Sequence, residues 1–154
     1  MSDEPTIPDK NICAEAAQAC ACFNLRKASR AVSRLFDETL QPAGLRSTQF
    51  TTILAIHIDQ PIGLAPLAKE LVTDRSTLTR NLAILEKNGL ITTTSSNGKR
   101  SRAYLLTDKG VSALTKGIPL WEKAQGKFIE VLGTGDWGNA LSLLTKMTAG
   151  TQRL

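Results

Sequence analysis

The sequence has almost no histidine and few aromatic side chains. Its 154 residues contain one histidine, His57, and aromatic residues make up 5% of the chain. A single histidine leaves little room for a histidine-ligated metal or for Ser-His-Asp chemistry. The chain also has no glycine-rich phosphate loop and no carboxylate cluster, so we see no catalytic constellation. The composition therefore predicts a protein that is not an enzyme and that holds neither a metal nor a cofactor.

The chain also lacks a long apolar run and a basic leader. A helix that spans a bilayer needs roughly 20 apolar residues, and no stretch approaches that length. The first ten residues, MSDEPTIPDK, are acidic and polar, whereas a secretory signal begins basic and then becomes apolar. We therefore expect a cytoplasmic protein with no membrane partner.

Positive charge is in modest excess, and it is concentrated in one part of the chain. The net charge is +5, from 19 basic and 14 acidic residues. Residues 69–109 hold eight basic and four acidic side chains, a net charge of +4. Such a local field attracts polyanions, but an ordinary solvated surface can carry the same charge. Charge alone leaves both interpretations open.

Apolar periodicity predicts a chain made mostly of helices, with one β-hairpin. The first helix covers residues 12–40 and ends before Pro42 and Gly44. The later predicted elements are a helix beginning at Ser47 or Thr48, an extended piece at 62–64, a short helix with Pro66 in its first turn, a helix from its cap Asp74 to Asn88, strands at 90–94 and 102–106, a helix over 108–132 that Pro119 bends or interrupts, and a last helix carrying Trp137 and Met147.

Two short helices followed directly by a hairpin form the winged helix-turn-helix plan. Gly89 ends the second of these helices, and Asn97-Gly98 is a strong signal for the hairpin turn. We therefore predict a mainly α (α+β) fold in a single domain, residues 1–154, with a winged helix-turn-helix at its centre.

The helix from Asp74 to Asn88 has one face suited to a core and another suited to a DNA major groove. Ser76 and Arg80 point away from the leucines. Small hydroxyl residues allow close approach to phosphates and base edges, and arginine can donate two hydrogen bonds to guanine. The first turn also offers backbone N–H groups to a phosphate. The leucines lie within about 60° of one another around the helix axis: Leu78, Leu82 and Leu85.

The predicted hairpin is basic at its turn, where Lys99, Arg100 and Arg102 cluster. A hairpin needs no arginine to fold, but a wing that lies on DNA benefits from one, because the narrow minor groove concentrates negative potential. An exposed hairpin with charges that serve only solubility is the simpler alternative. A winged-helix protein-interaction module without DNA binding is a further alternative, although such a scaffold has no reason to keep both Arg80 and the basic hairpin.

The run LAKELVTDRSTLTRNLAILEKNGLI, followed by a basic turn and YLLTDKG, resembles the core of the MarR (multiple-antibiotic-resistance regulator) family of transcriptional regulators. The resemblance implies dimerisation helices at 12–45 and 108–154, a winged helix-turn-helix lobe at 46–107, a recognition helix at about 75–89 and a wing at 91–106. It implies a homodimeric, sequence-specific repressor of a pseudo-palindromic double-stranded DNA operator. It also implies release by a small aromatic ligand, such as a phenol, or by an oxidant.

The same resemblance assigns DNA-binding positions. Arg100 matches the wing-tip arginine, with Lys99 beside it, but Gly98 stands where the family usually has an acidic residue that fixes the wing. The positions that match the DNA-facing helix are Arg75, Ser76, Thr77, Thr79 and Arg80.

Three cysteines, Cys13, Cys20 and Cys22, lie near the N-terminus. Their odd number and the absence of neighbouring histidine fit neither a disulfide framework nor a zinc site, so we expect free thiols. In a continuous helix, Cys20 and Cys22 point to nearly opposite sides.

Cys22, followed by Phe23-Asn24-Leu25 and Ser29-Arg30, resembles the start of the peroxide-sensing branch of the family, which implies a redox sensor at Cys22. Where that branch has two tyrosines, this chain has Arg26 and Phe36. A cysteine with a purely structural role is therefore the alternative.

Overall fold

The structure is a computed structural model that describes residues 8–95 and 102–151. Helices dominate it, and three short strands form one sheet, which confirms the predicted mainly α (α+β) class. The elements in chain order are α1 (Lys10–Ala19), α2 (Ala21–Leu40), a 3-10 turn (Gln41–Ala43), α3 (Ser47–Asp59), β1 (Ile62–Gly63), α4 (Leu64–Glu70), α5 (Arg75–Lys87), β2 (Ile91–Ser95), β3 (Arg102–Leu106), α6 (Asp108–Leu132) and α7 (Thr134–Thr151).

The chain divides into two compact units, residues 1–35 and 36–154. The first unit contains α1 and most of α2, and none of its described side chains is buried. The prediction of one continuous helix over 12–40 is wrong, because Cys20 leaves the helical conformation with ψ of 112°. The side-chain amide of Asn24 donates to the carbonyls of Ala17, Gln18 and Cys20. It thereby gives hydrogen-bond partners to carbonyl groups at the break in the helix.

The second unit has an apolar core built from the end of α2, from α3 to α6 and from the sheet. Its largest fully buried side chains include Phe50, Ile53 and Ile56 of α3, which recur at helical spacing on one face. Leu67 of α4 and Ile91 of β2 are buried in the same cluster. The core therefore fixes α3, α4, α5 and the sheet relative to one another.

The start of α3 differs from the prediction that Ser47 or Thr48 caps it. Arg46 is the N-cap residue, and its backbone N–H donates to Oε1 of Gln49 at 2.9 Å. The backbone N–H and hydroxyl of Ser47 both donate to the Asp37 carboxylate, each at 2.6 Å. A carboxylate at the end of α2 thus satisfies the first turn of α3, a long-range contact that local sequence does not announce.

The sheet is antiparallel and has the order β1-β3-β2. Ile62 of β1 lies opposite Tyr104 of β3, and Ile91 of β2 lies opposite Leu106. All four of these side chains are buried in the cluster that also contains the core residues of the helices, so one face of the sheet packs against the helices. The predicted turn of the hairpin, including Asn97 and Gly98, lies outside the described residues.

Thr107 caps the N-terminus of the long helix α6, as the sequence predicts, and its hydroxyl accepts from the backbone N–H of Gly110 at 3.0 Å. It continues as a helix through Pro119 rather than being interrupted there. Phe128 of α6 and Trp137 of α7 stack edge to face with ring centroids 5.3 Å apart. In the described part of the chain, no helix combines the length and apolar character needed to cross a membrane.

Candidate nucleic-acid interface

Helix α5 is held in the core by its leucines. Leu78, Leu82 and Leu85 are each 2% exposed or less, which confirms the buried face predicted from their spacing. Burying each leucine contributes on the order of 1.5–3 kcal/mol. The opposite face of α5 is therefore presented outward on a fixed support.

Both helices of the helix-turn-helix end in the same hydrogen-bonded turn. After α5, the backbone N–H of Gly89 donates to the carbonyl of Glu86, and the backbone N–H of Leu90 donates to the carbonyl of Leu85. Gly89 has a φ of 71°. After α4 the same pattern places Val72 at φ of 48°, in the left-handed region that glycine tolerates best. A branched residue in this position is strained.

Five of the predicted DNA-binding residues lie on α5, and every one of the five is exposed. They lie within the first two turns of the helix: Arg75, Ser76, Thr77, Thr79 and Arg80. The fold therefore brings two guanidinium groups and three hydroxyls together on one exposed surface, which we call the α5 surface.

Asp74 caps α5, as predicted, and it also changes what the first turn can bind. Its carboxylate accepts from the backbone N–H of Thr77 at 2.8 Å and from the hydroxyl of Ser76 at 2.6 Å. Hydrogen bonds from Ser76 and Thr77 hold the pKa of Asp74 well below its usual range. The expectation that the first turn offers its N–H groups to a phosphate is therefore wrong at Thr77, where a carboxylate already occupies the donor.

Two further side chains of the α5 surface are bonded along the helix. The hydroxyl of Thr79 donates to the carbonyl of Arg75 at 2.7 Å. Nε of Arg80 donates to the carbonyl of Ser76 at 3.3 Å. Because a guanidinium has five N–H donors, the terminal nitrogens of Arg80 keep the paired donors that recognise guanine.

The strands of the hairpin are described, but the predicted wing tip is not. Thr92, Thr94 and Ser95 of β2 and Arg102 of β3 are exposed. Lys99 and Arg100, predicted to bind DNA, lie outside the described residues.

Hydrogen bonds that the sequence did not predict join the end of α5 to the start of α6. The hydroxyl of Thr107 donates to the carbonyl of Gly89 at 2.6 Å, and its N–H donates to the carbonyl of Leu90 at 3.1 Å. Nζ of Lys109 donates to the carbonyl of Asn88 at 2.8 Å. A β-carbon on Gly110 would overlap the carbonyl oxygen of Leu90. The segment TDKG predicted that Thr107 caps α6, but it did not indicate that Thr107 also bonds to Gly89.

A groove of about 320 Å³ lies beside the second half of α5. Arg46 and Thr48 of the α3 start face Asn81 and Ile84 of α5 across it. Sequence reasoning did not connect these residues, because 35 positions separate Arg46 from Asn81 in the chain.

Cys22, the predicted redox sensor, is exposed and belongs to the first unit, as do Cys13 and Cys20, which are also free thiols. The expectation that Cys20 and Cys22 point to nearly opposite sides of one continuous helix is wrong, because the helix breaks at Cys20. Among the described residues, no group of three or more histidine, cysteine, aspartate or glutamate side chains could hold a metal ion.

Comparison with known proteins identifies this arrangement. A model of the MarR family matches residues 45–101. The transcriptional regulator MosR of M. tuberculosis, solved in complex with DNA, is 31% identical, with a TM-score of 0.80, and the match covers 87% of this chain and 97% of MosR. The chain belongs to the MarR family. It is a DNA-binding transcriptional regulator with a winged helix, not an enzyme.

Two other relatives of this MarR-family protein agree. The transcriptional repressor CouR, solved bound to a 23-mer DNA duplex, is 25% identical with a TM-score of 0.77, and the match covers 86% of this chain and 94% of CouR. An uncharacterized HTH-type transcriptional regulator from Bacillus cereus is 28% identical over 116 residues, 75% of this chain and 78% of the relative.

Proposed function

We propose that this MarR-family regulator is a homodimeric repressor that binds a pseudo-palindromic operator through the α5 surface. The observation that carries the proposal is the arrangement of α5, whose leucines are buried while Arg75, Ser76 and Arg80 are exposed. A helix supported in this way can enter a major groove with its small hydroxyl residues close to the bases.

Exposed apolar side chains on the terminal helices support the homodimer. Val131, at the end of α6, is 90% exposed, and the residues of α7 include several half-exposed apolar side chains. Burial between two copies removes such surface from water, which favours association. The members of this set are Ile12, Phe23, Leu25, Val111, Trp121, Val131, Leu132, Leu141, Leu143, Leu144 and Met147.

A two-fold dimer carries two copies of α5 and therefore requires two half-sites about one helical turn apart. Light scattering at micromolar concentration should give twice the chain mass of 16.6 kDa. In-vitro selection from random duplexes should return an inverted repeat. A monomer, or selected sites without two-fold symmetry, would contradict the proposed dimeric reading of DNA.

Arg80→Ala tests the α5 surface directly. If Arg80 reads a base, its loss should weaken binding to the selected operator by roughly 1–3 kcal/mol and relax sequence preference at one position of each half-site. Arg34→Ala, which removes an exposed arginine from α2, serves as the control. Unchanged affinity of Arg80→Ala would show that the assigned face is wrong. Failure of the wild type to select any sequence, with no shift of random DNA at low salt, would favour the protein-interaction module.

We further propose that an oxidant or a small aromatic ligand releases the operator. Exposure of Cys22 supports the first input, because reagents in solution can reach its sulfur. When a hydroperoxide reacts, the sulfur takes up the outer peroxide oxygen, the O–O bond breaks, a sulfenic acid forms and an alcohol leaves. The structure of CouR bound to p-coumaroyl-CoA supports the second input, since its fold matches this chain with a TM-score of 0.78.

The two inputs are separated by titrating the DNA complex with hydroperoxide and, separately, with phenolic acids. Release by peroxide from the wild type and from Cys20→Ser, but not from Cys22→Ser, would support the redox input. If Cys22→Ser is released as readily as the wild type, Cys22 is not the sensor. If peroxide releases neither protein and a phenolic acid releases both, the input is a ligand.

A further inference from the structure

Two of the three hydroxyls on the α5 surface, those of Ser76 and Thr79, already use their protons within the protein. Ser76 donates its proton to Oδ1 of Asp74 at 2.6 Å, and Thr79 donates its proton to the carbonyl of Arg75 at 2.7 Å. A hydroxyl has one proton and two acceptor lone pairs. Since both side chains are exposed, they present acceptors rather than donors to any molecule that meets this face.

This polarity disfavours a DNA phosphate at Ser76. A phosphate oxygen only accepts, so Ser76 would have to give up a hydrogen bond to a charged partner, which is among the stronger kinds. The carboxylate of Asp74 is ionised at neutral pH, as an aspartate ordinarily is, and the hydrogen bonds that it accepts from Ser76 and Thr77 lower its pKa further. An approaching phosphate would therefore also meet a like charge.

Base edges in the major groove offer what an acceptor needs. Adenine presents an amino group at N6 and cytosine presents one at N4, whereas guanine and thymine present only acceptors or a methyl group there. Arg80 lies one turn after Ser76 and is tied to the Ser76 carbonyl through Nε. The α5 surface thus places the hydroxyl oxygen of Ser76, an acceptor, beside the terminal N–H donors of Arg80, which suit guanine.

We propose that Ser76 accepts a hydrogen bond from the exocyclic amino group of an adenine or a cytosine, next to a guanine that Arg80 reads. Asp74 acts as a positioning residue, because it holds the Ser76 proton away from the groove. The proposal rests on the proposed function, in which α5 enters the major groove. It adds that Ser76 determines specificity instead of anchoring the backbone.

The experiment uses the full-length protein and the operator that the wild type selects. At each adenine of the half-site the base is replaced by purine, which lacks the N6 amino group, and at each cytosine by 2-pyrimidinone, which lacks the N4 amino group. Affinities are measured for the wild type, Ser76→Ala and the control Thr115→Ala, whose hydroxyl bonds to its own helix on α6. Thermal unfolding checks that each variant folds.

Removal of one amino group should weaken wild-type binding by about 2- to 10-fold per half-site, the range for one hydrogen bond. The same DNA change should have no further effect on Ser76→Ala, while Thr115→Ala should behave as the wild type. Adenine and cytosine replacements tell which base is read. Equal weakening of every sequence by Ser76→Ala, whatever bases the DNA carries, would mean a phosphate contact and would overturn the proposal, as would no effect of Ser76→Ala on any DNA.

Asp74→Asn provides a second readout, because asparagine still caps a helix but carries no charge. Its affinity for random DNA at low salt should rise, since the carboxylate no longer repels phosphates near α5. Unchanged or lower affinity would contradict the repulsion between Asp74 and DNA phosphates. If the wild type binds no DNA at all, the proposed function fails before Ser76 is tested, so the two failures are distinguishable.

Discussion

Gly110→Ala should break the joint between α5 and α6. The added β-carbon would overlap the carbonyl oxygen of Leu90, and its distance from Cβ of Leu106 would be 3.4 Å. The carbonyl cannot easily move, because Leu90 is 6% exposed and its oxygen accepts the N–H of Thr107. The start of α6 must therefore shift away from the end of α5.

The size of the effect follows from the contacts that this shift disturbs. Loss of the two hydrogen bonds from Thr107, to the carbonyls of Gly89 and Leu90, costs about 1 kcal/mol each. Overpacking costs a further 1–3 kcal/mol or so, and the better helix propensity of alanine returns about 1 kcal/mol. The free energy of unfolding should fall by about 2–4 kcal/mol, and Tm by roughly 4–16 °C for a chain of this length.

Gly126→Ala is the matched control, because Gly126 lies in the same helix and a β-carbon there meets no atom within 4 Å. It should stabilise the protein by about 0.5–1 kcal/mol. Thermal and urea unfolding at one fixed protein concentration measure both variants. If Gly110→Ala is as stable as the wild type, the joint is not as tight as the structure indicates and the reasoning is refuted.

Three other changes test separate features. Val72→Gly should raise the free energy of unfolding by about 1 kcal/mol, since it relieves the left-handed backbone, whereas Val72→Ala should gain less; an unchanged urea midpoint for Val72→Gly would contradict the strain. Arg75→Ala should make the slope of log affinity against log salt shallower by about 1.8 for the dimer, from a wild-type slope on the order of −5 to −7, if each Arg75 meets one phosphate; an identical slope would exclude that contact. Asp74→Ala should lower stability most at neutral pH. Because folding lowers the pKa of Asp74, its contribution is present above the ordinary carboxyl pKa of 3.8 and is lost as the pH falls below it, so urea midpoints of the two proteins should converge in acid.

Much of the fold and of the α5 surface could be predicted because both depend on local patterns. The spacing of Leu78, Leu82 and Leu85 determines which side of α5 is buried, so it also determines that Ser76 and Arg80 face outward. The caps at Asp74 and Thr107 were predictable for the same reason, since a cap bonds to backbone within three residues. The break at Cys20 was not, because the helical pattern continues across it and the capping amide comes from Asn24.

Tertiary structure decided the features that depend on groups far apart in the sequence. Asp37 satisfies the start of α3 ten residues away, and Thr107 bonds to the carbonyl of Gly89 across 18 residues. Such pairs leave no periodic signal, because their geometry is set only when the buried side chains of several helices and strands pack together. The sequence by itself therefore determined which helix carries the basic, hydroxyl-rich face. Only the folded chain decided that the end of α5 is fastened to the start of α6, since close contact depends on distances between atoms rather than on residue order.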